Sequence, residues 1–126
     1  MEALLALWDG AFGSPYAVLS ATLVRATPLV FVGLAVALAF RAGVLNIGAE
    51  GQLVLGAIGA SAVALAIPTW PRVLVVLLML VAGAVAGGLW AGVAALLRRR
   101  FHVLEVISTI MLNFVAAAFV GWVVRG

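Results

Sequence analysis

The sequence predicts an all-α, polytopic transmembrane protein with about four membrane segments. Of its 126 residues, 67% are hydrophobic and 9% charged, too few charges to surface a water-soluble domain. The apolar residues also fall into runs long enough to cross a hydrocarbon core of ~30 Å, which takes about 20 helical residues. The basic residues, all arginine, cluster at the ends of those runs. Seven arginines against four acids leave a net charge of +3, but their placement reads as anchoring at lipid headgroups rather than contact with nucleic acid. With no cysteine, neither a disulfide framework nor a thiolate metal site is possible. Residues 1–126 read as a single transmembrane domain.

The opening "MEALLALWDGAF" has an acid at position 2 and no basic stretch, so it predicts an interfacial or partial helix rather than a cleaved signal peptide. Residues 16–40 form the first segment. Residues 16–27 are its entry at one interface and residues 28–40 its deeper continuation, with Pro28 as a helix start or kink. The next apolar run reaches spanning length only if it starts at Val44, which sets Asn46, Glu50 and Gln52 at membrane depth. Gly43, Gly48, Gly51 and Gly56 disfavour a regular helix there, each by ~1 kcal/mol relative to alanine. A broken helix is therefore expected near 46–52.

"PTWPR" at 68–72 reads as a tight loop with an interfacial tryptophan. Residues 73–97 form an uninterrupted span carrying two rows of small residues, one through Gly83 and Gly87, the other through Gly88 and Gly92. These rows predict faces for close helix packing. Arg98, Arg99 and Arg100 form the one charge cluster and are expected to anchor the cytoplasmic side, so that residues 73–97 run inward. The final segment, 105–124, places Glu105, Ser108, Thr109, Leu112 and Asn113 on one helical face.

A carboxylate in the membrane costs on the order of 3 kcal/mol, so Glu50 needs a partner, a watery path or a position near the headgroups. Broken backbone at this depth persists only where protein or water satisfies it, and discontinuous helices commonly line a transporter's route. Asn46, Glu50, Gln52, Thr109 and Asn113 are accordingly the substrate-path candidates. The stripe on the last helix fits hydrogen bonding between helices as well as it fits a polar pathway. Glu105 suits a helix N-terminus. His102 is an interfacial side chain with no second metal ligand at a suitable spacing. No HExxH, GxSxG, Walker-type loop or paired carboxylates occur, so the sequence indicates no catalytic site, metal or cofactor.

"TLVRATPLVFVGLAVALAFRAGVLNIGAEGQLVLGA" (22–57) and "EVISTIMLNFVA" (105–116) resemble the permease subunits of bacterial ABC importers for nucleosides and simple sugars. These belong to the broader group that includes ribose and branched-chain amino-acid permeases, and the resemblance extends over residues 16–119. It implies a multi-pass protein of the inner membrane working with a second permease, an ABC ATPase subunit with two cassettes, and an extracytoplasmic substrate-binding lipoprotein. It also implies that 46–52 lies at a helix break along the translocation region. If the cargo is a nucleoside, an apolar wall such as Phe31 or Phe114 is available to stack on a base. Members of that family are longer, usually with a further span upstream and an EAA-like loop that docks on the ATPase. This chain is therefore expected to be the N-terminal part of a longer permease that does not couple ATP hydrolysis to transport by itself. The rival expectations are a fragment of an ion-coupled secondary transporter and a non-transporting membrane remnant.

Overall fold

A computed structural model describes residues 1–126. The chain is helical throughout: α1 (Glu2–Phe12), a π-helical stretch (Ala17–Leu23) that continues into α2 (Val24–Arg41), α3 (Ala49–Ala66), α4 (Arg72–Phe101) and α5 (Glu105–Arg125). Four helices are long and apolar enough to cross a membrane: Ala17–Arg41, Ala49–Ala66, Arg72–Phe101 and Glu105–Arg125. The chain forms two compact units, Met1–Ala37 and Leu38–Gly126, described separately below.

In the first unit, the Ser14 hydroxyl accepts the backbone N–H of Ala17 at 3.0 Å, and Pro15 follows it where a missing N–H has no cost. Thr22 Oγ1 donates to the Ala11 carbonyl at 2.8 Å, tying α1 to the π-helical stretch. Pro28 is passed within a continuous helix, neither its start nor its end. The irregularity lies upstream, as the wider π turns of Ala17–Leu23. Thr27 Oγ1 donates to the Leu23 carbonyl at 2.7 Å, just before the proline.

The second unit begins with the end of α2. Gly43, at φ 76°, sends its N–H to the Phe40 carbonyl, and Val44 sends its own to Ala39. That pair of bonds is a Schellman motif, which needs the left-handed residue that glycine supplies without strain. Residues 44–48 are then non-helical, and α3 starts at Ala49 with Gly48 as its N-cap. The interruption expected near 46–52 is thus a connection that becomes a helix start, and the span begins at Ala49 rather than Val44.

Packing in this unit is by small residues. All eight buried positions are glycine, alanine, serine or threonine: Gly48, Ala49, Gly51, Gly56, Ala94, Ser108, Thr109 and Ala116. Large apolar side chains such as Leu65 and Phe114 point outward. Lipid tails are as apolar as leucine, so burying a leucine gains little, whereas small side chains let helix backbones approach. Helices α3 and α4 run antiparallel in this way. A Cβ on Gly56 would lie 2.9 Å from the Gly83 carbonyl oxygen, and one on Gly87 would lie 2.9 Å from that of Gln52. Of the two small-residue rows, the one through Gly83 and Gly87 faces α3. Gly88 and Gly92 have nothing within 4 Å of a Cβ and meet no other helix of this chain.

Candidate functional site

The polar residues of the α2–α3 connection and of α5 meet at one place. Asn113, two turns into α5, spans the start of α3 with its amide. Its Oδ1 accepts the Gly51 N–H at 2.9 Å, and its Nδ2 donates to the Ile47 carbonyl at 3.0 Å. One turn earlier, Thr109 Oγ1 accepts the Ile47 N–H at 3.3 Å while donating to the Glu105 carbonyl at 2.8 Å. Both backbone groups of Ile47, which no local helix serves, are therefore satisfied by side chains of α5. An unpaired backbone group in hydrocarbon costs several kcal/mol, and these bonds let non-helical chain persist beside a transmembrane helix.

Asn46 and Gln52 complete the cluster. Asn46 Oδ1 accepts the Gly48 N–H at 2.9 Å, turning the chain into α3. The Asn46 and Gln52 amides also pair with each other, at 3.2 and 3.3 Å. Four of the five residues expected along a substrate path, Asn46, Gln52, Thr109 and Asn113, thus form one hydrogen-bonded clasp. A small cavity of about 240 Å³ beside it is lined by Asn46, Gln52, Glu105 and Thr109 together with Val44 and the small α4 residues Ala91, Gly92, Ala94 and Ala95.

Comparison with known proteins identifies the family of the chain. A family profile described as branched-chain amino acid transport system / permease component matches residues 18–126. The chain belongs to that permease family. It is 46% identical over 108 residues to a glucose ABC transporter permease of Haloferax volcanii, covering 86% of this chain and 28% of that protein. It is 44% identical over 119 residues to a guanosine ABC transporter permease of Bacillus subtilis, covering 94% and 34%. To a nucleoside ABC transporter permease of Lactococcus lactis subsp. cremoris it is 35% identical over 113 residues, covering 90% and 31%. The chain spans about a third of the length of these curated relatives. No solved structure gives a significant match. With its four apolar helices, the permease is a multi-pass integral protein of the cell membrane.

Glu50 stands apart from the clasp. It occupies the first turn of α3, where the helix dipole favours a carboxylate, yet its side chain is exposed and has no partner within the permease chain. Glu105 opens α5 and forms an ion pair with Arg98, the first of the three clustered arginines, joining the end of α4 to the start of α5. Arg99, Arg100 and His102 are exposed. Phe31 and Phe114, each in its own unit, are exposed as well.

One residue of the site escaped the sequence reading. The indole Nε1 of Trp90 is buried and has no hydrogen-bond partner. It lies 3.1 Å from the point a Cβ on Gly51 would occupy, while Asn113 Oδ1 lies 2.9 Å from that same point. The available signal was position: Trp90 falls well inside the 30-residue α4, far from the headgroup levels where tryptophan gathers. Replacing Trp90 by phenylalanine removes the unpaired donor, relieving about 1–3 kcal/mol, and gives back a similar amount in lost ring volume. Thermal stability of the variant in detergent is expected within about 1 kcal/mol of wild type. A loss of twice that size would mean that the N–H has an acceptor in the folded permease.

Proposed function

We propose that this permease chain forms part of the translocation path of an ATP-driven importer for nucleosides or related sugars. The observation that carries the reading is a non-helical segment held among transmembrane helices by side-chain hydrogen bonds, the kind of discontinuity that lines transport routes. The names of the relatives support the cargo class, two of them being nucleoside or guanosine permeases and one a glucose permease. Its partners would be an ABC ATPase subunit with two cassettes, a second permease subunit and an extracytoplasmic substrate-binding lipoprotein. ATP hydrolysis is assigned to the ATPase subunit. The family match does not favour an ion-coupled transporter.

Within the path, Glu50 is the polar side chain of the break left without an internal partner, so it is the first group offered to water or cargo. Asn46, Gln52, Thr109 and Asn113 act mainly by holding the wall in place. Cargo reaches them through the proton and lone-pair capacity that their amides and hydroxyl retain.

Uptake by the full-length protein with its partner subunits, in cells lacking their own nucleoside uptake, tests the reading. Saturable accumulation of labelled guanosine that stops on ATP depletion and survives collapse of the proton and sodium gradients is expected. Uptake that follows a gradient instead would move the protein to the ion-coupled class. Glucose uptake without guanosine uptake would keep the mechanism and change the cargo.

A further inference from the structure

A cleft of about 760 Å³ opens between residues 43–45, the last turns of α4 and the 102–104 linker. Much of its wall is apolar, formed by Val44, Leu45, Val103, Leu104 and Val106, with Leu45 53% and Leu104 68% exposed. Four charged or ring-polar side chains line it as well: Arg98, Arg99, His102 and Glu105. Arg98 and Glu105 neutralise each other in their ion pair. Arg99 and His102 have no side-chain partner in this chain. His102 closes α4 at φ 54°, a left-handed conformation uncommon for a residue with a side chain, and this turn puts it in the lining.

Helix length sets the depth of this cleft. The 30 residues of α4 reach about 45 Å at ~1.5 Å per residue, the thickness of a bilayer with its headgroups rather than of the hydrocarbon alone. The last turn of α4 therefore lies among headgroups, with unpaired cationic and ring N–H donors above an apolar wall.

We infer that the cleft binds the headgroup of an anionic phospholipid. Arg99 and His102 would hold the phosphate, and Val44, Leu45 and Leu104 would lie along the first methylenes of the acyl chains. Charge complementarity selects an anion, and basic pockets at this level commonly take acidic lipid headgroups. The mixed lining selects a lipid over a free anion. Bare phosphate engages the two donors but leaves the apolar wall in water, and the volume falls in the class of organic ligands. This inference does not depend on what the importer carries.

The test is native mass spectrometry of the full chain in neutral detergent, with phosphatidylglycerol or phosphatidylcholine of matched acyl chains. Phosphatidylglycerol is expected to stay bound as detergent is stripped, and phosphatidylcholine to leave. The double variant Arg99→Gln, His102→Gly keeps the left-handed turn and is expected to lower phosphatidylglycerol retention by about five-fold, whereas Arg100→Gln, outside the lining, changes it by less than about two-fold. Arg99→Gln alone, at an exposed position, serves if the double variant loses helicity by circular dichroism. Equal losses at Arg99 and Arg100 would overturn the site in favour of diffuse charge attraction. Equal retention of phosphatidylcholine would overturn the role of the two donors. Complete displacement of the lipid by inorganic phosphate would overturn the lipid assignment in favour of the free anion.

Discussion

Replacement of Asn113 by leucine is expected to cost about 2–4 kcal/mol and to reduce transport at least ten-fold. The size is similar to asparagine, so the effect comes from hydrogen bonds rather than volume. Leucine leaves the N–H of buried Gly51 and the carbonyl of the more exposed Ile47 without their partners, and an unmet group away from water costs about 1–3 kcal/mol. Thr109→Val removes a longer bond, 3.3 Å to the Ile47 N–H, and is expected to lose only about 1 kcal/mol. Asn113→Asp keeps an acceptor for Gly51 but sets a carboxylate against the Ile47 carbonyl, so it does not rescue. Stability from unfolding titrations in mixed micelles, with guanosine uptake measured alongside, gives the order. If Asn113→Leu unfolds at the wild-type midpoint, the amide is not holding the break, and the clasp loses its role in shaping the path.

The second large effect is expected at Gly56, where α3 and α4 touch backbone to backbone. Alanine there would set its Cβ 2.9 Å from the Gly83 carbonyl oxygen, a backbone atom that no rotamer change can move aside. The helices must separate, and overpacking of this kind costs about 1–3 kcal/mol. Valine or leucine at the same position should prevent the pair from closing. Gly87→Ala meets the Gln52 carbonyl at the same 2.9 Å and should behave alike, with the added consequence of shifting the clasp through Gln52. Gly88→Ala and Gly92→Ala meet nothing in this chain and should be neutral, or more stable by up to about 1 kcal/mol through helix propensity. Equal losses at Gly56 and Gly88 would remove the distinction between the two rows.

The spans were legible because hydropathy accumulates along the chain. Residues 73–97 and 105–124 lie within α4 (Arg72–Phe101) and α5 (Glu105–Arg125), which differ from them most at the C-terminal end of α4. The start of α3, at Ala49, lies beyond the Val44 that hydropathy indicates, for an identifiable reason. Residues 44–48 are apolar enough to extend the span, and the groups that hold them out of a helix are far away in sequence. Ile47 is bound by Thr109 and Asn113, 62 and 66 residues downstream. Likewise the polar stripe of α5 fitted two readings until the partners of Thr109 and Asn113 appeared on the break. Nothing in the sequence marks Trp90, because a tryptophan within an apolar span looks like filling.

By itself, then, the sequence determined that this is a helical membrane protein with four membrane segments, an interruption near 46–52 that it set within the second of them, and its basic residues near the ends of apolar runs. Those properties depend on which residues are neighbours along the chain and on their free energy of transfer to lipid. Only the tertiary structure decided which glycine row joins two helices, that Asn46 and Gln52 pair with each other while Thr109 and Asn113 hold backbone groups of the break, and that Glu50 is left free. These depend on pairs of groups brought together from distant segments. The two glycine rows have the same spacing, and an asparagine amide has the same capacity to bond whether it meets backbone or cargo, so only the positions of the helices separate the possibilities.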